Sequence, residues 1–391
     1  MRILLATETY YPVISGVVIF THNLAEELTA RGHQVAIFAP STNGLYQHQK
    51  KNGIEIFRFP SLPNPFGRKK TRIAIRPYSK VEVAFEDFKP DVVHLQSPSG
   101  VPTSVLKAAK KNGVPVIATQ HFLTGFILAY LKPLAFMSPL THRALIMFLN
   151  HFLEQCDYVT CPTQSVATEL TNDGVTANFK VISNGIRLEE FKKAPKEHWS
   201  RIPEDRPVVL HVGRLDQDKN IFTLLESIPW VVEKVPEVLF VLAGPGEHVK
   251  KIRQWIVAQG LEKSVMYVGK LPYGSEHFRQ VYHRASVFVI PSTIETQSLV
   301  TMEAIASGLP VVASKAGALP ELVHHGKNGY LVESTDVSGF AAKIVHLLKY
   351  PDKAREMGEA GQEIIAAHDM EAVMEQFLDL YGESMKKSRV V

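Results

Sequence analysis

Val208-Val-Leu-His-Val-Gly-Arg-Leu-Asp-Gln-Asp-Lys-Asn220 decides the fold. Its opening run, Val208–Val212, is almost wholly aliphatic, which reads as a parallel strand covered by helices on both faces. A glycine, two cations and the start of a helical pattern near Asn220 follow at once, which is the grammar of a βα unit. The same grammar continues downstream through Val238–Ala243, Val265–Val268, Val287–Ile290, Pro310–Ala313 and Gly329–Val332. It also fills the chain upstream, at Arg2–Ala6, Gln34–Ala39, Ile54–Phe59, Asp91–Leu95, Pro115–Thr119, Tyr158–Cys161 and Lys180–Ser183. Between the two series, Asn184 to Pro207 is polar and punctuated by Pro195, Pro203 and Pro207, which suits a linker. The chain therefore reads as α/β, with two Rossmann-like, doubly wound domains. The first spans residues 1–190 and the second 191–368. A terminal helix in 369–391 carries Val373, Phe377, Leu380 and Tyr381 on one face and is expected to pack back on the first domain. The segments between strands are amphipathic. In Val17–Arg31, Val17, Phe20, Leu24 and Leu28 share one face, with Asn23, Glu26 and Glu27 opposite.

Composition narrows the class. With 391 residues, of which 45% are hydrophobic and 21% charged, the chain can build two sizeable cores. Two cysteines, Cys156 and Cys161, make neither a disulfide framework nor a zinc site, so a reducing cytoplasm is expected. The apolar run that follows Met1 is too short for a signal peptide and meets Glu8 at once. The longest greasy region, Phe122 to Leu153, is interrupted by Lys132, Pro133, Pro139 and Arg143. Any contact with a membrane is therefore from the side. The net charge of +4 is concentrated before Glu190, which suits an anionic lipid surface or an acidic acceptor.

Open α/β sheets bind ligands at the carboxyl ends of their strands, and the polar residues of interest cluster there. Gly16 stands where the loop after the first strand enters a helix, so the backbone can approach a ligand and the helix start favours an anion. Gly213, Arg214 and Lys219 follow Val208–Val212. Arginine grips a pyrophosphate bidentately and lysine adds a point charge. Asp216-Gln-Asp218 spells a diphosphate metal clamp, but the neighbouring cations already neutralise the same phosphates, so no metal is expected. Pro291-Ser-Thr-Ile-Glu-Thr-Gln-Ser-Leu-Val-Thr-Met-Glu-Ala304 follows another strand and opens a helix at Leu299. Main-chain N–H groups near Ser298, Leu299 and Val300 can bind a phosphate oxygen. Glu295 can accept from sugar hydroxyls and Glu303 from ribose hydroxyls. His121 follows Pro115–Thr119 at the carboxyl end of the first sheet.

Together Ser15-Gly16, His121, Ser183-Asn-Gly-Ile186, Gly213-Arg214 with Lys219-Asn220, Ala243-Gly-Pro-Gly246 and Glu295-x7-Glu303 resemble the retaining family four of glycosyltransferases. The resemblance implies a GT-B fold with both domains facing a central cleft. It also implies a metal-independent hexosyl transfer from a nucleotide-sugar donor, with no further cofactor. Gly16 then lies near the donor diphosphate and His121 near the transferred sugar. Arg214 and Lys219 clamp the leaving group, Glu295 holds the sugar and Glu303 the ribose. Two departures bear on substrate: Ser15-Gly16 replaces Gly-Gly, and Glu295-Thr-Gln-Ser-Leu299 replaces Glu-x-Phe-Gly-Leu. Glu-Thr-Gln, together with Pro12-Val-Ile-Ser-Gly-Val-Val18, is similar to the branch that glucosylates diacylglycerol. The apolar Phe126, Ile127, Leu128, Tyr130, Leu131, Leu134, Phe136 and Met137 fit that branch, either as a bilayer-facing patch or as a buried helix. The expected partners are UDP-glucose, a lipid or saccharide acceptor and an anionic membrane surface, with no nucleic acid. The expected location is cytoplasmic and peripheral to the inner membrane face. Two alternatives stand beside this reading. One is mannosyl transfer from GDP-mannose to phosphatidylinositol or a polysaccharide, and the other a non-catalytic nucleotide-sugar-binding module.

Overall fold

The computed structural model describes residues 1–64, 71–75, 77–125, 138–195 and 201–388. The chain forms two compact units. One is Met1–Asn184 together with the chain from Glu371 onward, and the other is Gly185–Met370.

In the first unit the strands are β1 (Arg2–Ala6), β2 (Gln34–Pro40), β3 (Gln47–Lys51), β4 (Ile54–Phe59), β5 (Ser61–Pro63), β6 (Arg72–Ala74), β7 (Val92–Leu95), β8 (Val116–Thr119), β9 (Tyr158–Cys161) and β10 (Phe179–Val181). Eight of them form one sheet in the order β10-β9-β8-β7-β1-β2-β4-β3, and β5 and β6 pair separately. Every pairing in the large sheet is parallel except β3 with β4. That antiparallel edge corrects the all-parallel expectation. Its sequence, Gln-His-Gln-Lys-Lys, is exposed and lacks the apolar run by which the other strands are recognised. Polar lysine-bearing edges of this kind resist pairing with a second sheet.

The second unit holds β11 (Val208–Val212), β12 (Leu239–Ala243), β13 (Val265–Gly269), β14 (Val287–Ile290), β15 (Val311–Ser314) and β16 (Gly329–Val332). They form one sheet, ordered β13-β12-β11-β14-β15-β16 and parallel throughout. Alternation along β11 and β14 explains why these strands are apolar at nearly every position, His211 being the exception. Val208, Leu210, Val212, Phe288 and Ile290 enter one apolar layer. Val209, Val287 and Val289 enter the layer on the other face.

The boundary falls between Asn184 and Gly185, ahead of residue 190. The reason is packing: Ile186, Leu188 and Phe191 are buried in the second core, although the surrounding sequence is polar. The helix Met370–Ser388 begins at the crossing back to the first unit. Its Phe377 ring lies 5.8 Å from Phe20, and the Tyr381 hydroxyl bonds His94 Nδ1 at 2.8 Å. Arg31 bridges Glu371 at 2.5 Å and Lys180 bridges Glu383 at 3.0 Å. Phe20 belongs to the helix Gly16–Ala30, most of which is enclosed. Asn23 is buried there rather than facing solvent with Glu26.

In each sheet the first strand is flanked by strands of opposite winding: β1 lies between β2 and β7, and β11 between β12 and β14. These are the topological switch points at which such sheets leave a crevice at their carboxyl ends.

Candidate active site

At the switch point of the second unit, the loop after β11 is held from below by a glycine pair. A Cβ on Gly244 would lie 1.8 Å from the Gly213 carbonyl oxygen, and one on Gly246 2.3 Å from the Leu215 carbonyl oxygen. The two backbones are stitched by Gly213 N–H to Ala243 O at 3.0 Å and Leu215 N–H to Pro245 O at 2.8 Å. Ala243-Gly-Pro-Gly246 is therefore the floor on which Gly213–Leu215 rests, a tight approach that only glycine permits.

Arg214 and Lys219 rise from this loop, each already engaged. Arg214 Nη2 meets Asp218 Oδ2 at 2.6 Å, and its Nη1 bonds Asp216. Asp216 is itself fixed by the Glu247 N–H at 2.8 Å. The sequence alone assigns Arg214 to a pyrophosphate and does not show what holds the guanidinium. The Asp216-Gln-Asp218 pair orients the guanidinium. Lys219 Nζ forms an ion pair with Glu295 Oε1 at 2.7 Å, so the loops after β11 and β14 are joined by opposite charges. The lysine side chain is 15% exposed and the glutamate 9%. Neither points into bulk water, and their attraction is screened less than that of a surface pair.

Glu295 is placed by a third loop. Gly317, at φ +53°, brings its Cα so close that a Cβ would meet the Glu295 carbonyl oxygen at 2.6 Å, and the Ala318 N–H donates to that oxygen at 2.9 Å. Gly317 carries no motif of its own, so sequence reading missed it. Beyond Glu295 the helix Leu299–Ala306 begins at Ser298, whose side chain caps nothing. Thr301 and Met302 N–H groups return to the Ser298 carbonyl. The main-chain N–H groups of Leu299 and Val300 remain as donors at a partly exposed helix start, the electropositive end.

Glu303 lies one turn further on and is enclosed, at 1% exposure. The helix Leu-Val-Thr-Met-Glu-Ala-Ile-Ala is apolar on nearly all sides, which buries whatever it carries. Tyr282 OH donates to Glu303 Oε2 at 2.6 Å. In this state the carboxylate is occupied by tyrosine rather than presented to a ribose. Burial pushes its pKa up to about 7, against the lowering effect of the Tyr282 and Tyr273 hydroxyls. The folded protein therefore holds this proton where the unfolded chain has released it. The stability contributed by the protonated group is complete below about pH 4.5 and is lost as pH rises toward 7. The buried His94, His121 and His211, all shifted down by desolvation, act in the opposite sense over much of that range. A difference measurement isolates the glutamate. Relative to Glu303→Gln, the wild type should lose a few kcal/mol of unfolding free energy between pH 5 and pH 7.5, read as the change in urea midpoints of the two proteins. A pH-independent difference would contradict this placement of the proton.

The first unit holds the remaining residues. Gly16 is the first residue of the helix Gly16–Ala30, with the Ser15 side chain accepting from Val18 N–H at 3.4 Å. A Cβ at Gly16 would meet nothing within 4 Å among the described residues, so none of them requires glycine there. His121 is buried just past β8. Its Nε2 lies 2.9 Å from Gln96 Oε1 and its ring 5.1 Å from that of Phe20. Burial lowers its pKa to about 3, so the imidazole is neutral. Among residues that sequence reading passed over, Glu8, just past β1, accepts from Ala74 N–H at 3.0 Å and Val101 N–H at 2.9 Å. The eight apolar residues Phe126 to Met137 named in the sequence lie outside the described residues. The helix that follows them, Ser138–Leu153, is described. No described helix is long and apolar enough to cross a membrane.

Comparison with known proteins agrees with this architecture. Residues 14–190 match the family model for Glycosyltransferase Family 4, and residues 193–364 that for Glycosyl transferases group 1. The chain belongs to family four of the glycosyltransferases, of the GT-B type, and is a hexosyltransferase. It is 28% identical over 389 residues to the alpha-monoglucosyldiacylglycerol synthase of Streptococcus pneumoniae, covering 97% of this chain and 86% of that one. It is 27% identical over 392 residues to a GDP-mannose-dependent alpha-mannosyltransferase of Mycolicibacterium smegmatis, covering 97% of each. Among solved structures, Anabaena HepE in complex with UDP and glucose superposes with a TM-score of 0.75 at 21% identity, covering 98% of this chain and 99% of that one.

Proposed function

We propose that the protein transfers glucose from UDP-glucose to a lipid hydroxyl, diacylglycerol being the acceptor, with retention of configuration and without a metal. The observation that carries this reading is the Lys219–Glu295 pair at 2.7 Å, beside Arg214, at the carboxyl ends of β11 and β14. A diphosphate bound above these loops meets two cations whose positions are set beforehand by Asp216, Asp218 and Glu295. Such preorganisation favours charge that develops on a leaving group. The bond from the sugar's anomeric carbon to the phosphate oxygen breaks, and the acceptor oxygen bonds that carbon on the same face. The acceptor's proton passes to the departing diphosphate. Glu295 holds sugar hydroxyls, the N–H groups of Leu299 and Val300 receive phosphate oxygen, and neutral His121 is a further group assigned to the transferred sugar. Neither carboxylate serves as the covalent nucleophile of a retaining glycosidase.

Two observations favour a lipid acceptor. The relative from Streptococcus pneumoniae, matched over 97% of this chain, is an alpha-monoglucosyldiacylglycerol synthase. The helix Ser138–Leu153 turns Leu149, Phe152 and Leu153 inward yet leaves Leu140, Met147 and Phe148 exposed. It carries Arg143 and no acidic residue, a composition suited to the face of an anionic bilayer. Mannosyl transfer from GDP-mannose is the second reading, favoured by the mycobacterial relative, which matches over 97% of each chain.

The test is incubation with UDP-, GDP- and ADP-sugars and vesicles containing diacylglycerol and anionic lipid, with products identified by mass and the anomer by NMR. The expected product is an α-glucosyl lipid formed from UDP-glucose alone. Product from GDP-mannose alone would select the second reading, and an inverted anomer would exclude retention. Donor binding without turnover on any acceptor would leave only a nucleotide-sugar-binding module.

A further inference from the structure

At the carboxyl end of the first unit's sheet, β7 and β8 each deliver one polar side chain into an enclosed position. Gln96 follows β7 and is tied to β1 by its N–H to Ala6 O at 2.8 Å. Its side chain is fully buried, with Oε1 on His121 and Nε2 without a partner among the described residues. Two residues earlier on the same face, His94 is satisfied at both nitrogens, by Tyr381 OH at 2.8 Å and Thr119 Oγ1 at 2.6 Å. Thr119 in turn meets Thr160 at 2.6 Å. That chain has no group left over to hold His121. The Phe20 ring supports the imidazole from the helix side without fixing its rotation or tautomer. Gln96 is thus the one polar partner of the His121 ring among the described residues.

We propose that Gln96 is a positioning residue for His121: its side-chain carbonyl accepts from Nε2–H and thereby leaves Nδ1 as an unprotonated acceptor for a substrate hydroxyl. This rests on the reading that His121 meets the transferred sugar. The chemistry follows from the donor inventory. A neutral imidazole has one donor and one acceptor, so committing Nε2 as the donor fixes Nδ1 as the acceptor. Nδ1 has no partner among the described residues. The buried, unpaired amide Nε2 of Gln96 is a cost, since an unsatisfied buried donor disfavours the fold. A methionine or leucine would fill this space without that cost. A glutamate in place of Gln96 would set a carboxylate against Nε2–H and favour the imidazolium, turning Nδ1 from acceptor to donor. The other titratable groups that bear on His121 are His94 and, through it, Tyr381, and burial keeps both of these neutral as well.

The experiment has one arm on the unaltered protein and two on variants. In the 15N-histidine spectrum, with His121 assigned by its loss in His121→Gln, Nε2 should be the protonated nitrogen and Nδ1 the bare one from pH 5 to pH 8. An Nδ1–H tautomer overturns the proposal. Gln96→Met should lower kcat by roughly 10- to 100-fold, as small misplacements of a site group do, with the donor KM nearly unchanged. Gln96→Glu should add a pH dependence of kcat between pH 5 and pH 8 that the wild type lacks. Unchanged kcat and pH profile in both variants, with His121→Ala inactive, would overturn the proposal alone. Full activity in His121→Ala would instead remove the reading beneath it.

Discussion

Replacing Lys219 by alanine is expected to reduce kcat/KM by roughly 10²- to 10³-fold, the scale seen when one preorganised donor to a developing anion is removed. The loss should appear in kcat, because the ammonium matters most when charge accumulates on the departing diphosphate. Glu295→Ala should cost a similar factor. The two side chains touch at 2.7 Å, so their effects should not add, and the double variant should be scarcely worse than either single one. The comparison needs protein that remains folded, checked by far-UV circular dichroism at the assay temperature. Single-turnover rates would separate chemistry from binding. Full activity in either variant would be incompatible with the proposed site, and strictly additive losses would mean that the pair does not work as a unit.

The second large effect belongs to a glycine packed against backbone beneath the Gly213–Leu215 loop. Gly244→Ala places a Cβ where the Gly213 carbonyl oxygen stands, and both atoms belong to backbone. No rotamer change relieves such a collision, and the residue also sits at φ +134°. Destabilisation should exceed about 3 kcal/mol. For a unit of this size that is a drop of about 6–12 °C in Tm. What remains folded should bind donor poorly, because the Gly213–Leu215 loop must lift to make room. Thermal melts and donor titration by calorimetry check the two halves of this expectation. Wild-type Tm together with wild-type donor affinity would show that the loop does not rest on this floor.

Both sheets were readable from sequence because parallel strands covered on two faces need an unbroken aliphatic run, and few other structures do. The strand β3 escaped for the converse reason. At an edge, Gln47–Lys51 needs only backbone partners, so its side chains carry no periodic signal. The site divides in the same way. Arg214, Lys219 and Glu295 were legible because cations and a carboxylate at strand ends have few other uses. Their pairings were not, since Asp216 and Asp218 could equally have faced a metal or solvent. The enclosure of Glu303 could have been anticipated from the all-round apolar helix that bears it. Gly317 and Gln96 act only through contacts made across long sequence separations, which no local pattern announces.

The return of the last helix has a practical meaning for anyone who would dissect this enzyme. Asn184 and Glu371 both belong to the same unit, so Gly185–Met370 is an insertion within the other unit, entered and left through two peptide bonds. A fragment stopped at residue 184 would strip Tyr381 from His94 and bare the ring of Phe20, and it should aggregate or be digested. A split reporter or half-molecule hybrid should therefore exchange Gly185–Met370 as a cassette and keep both flanking pieces on one polypeptide.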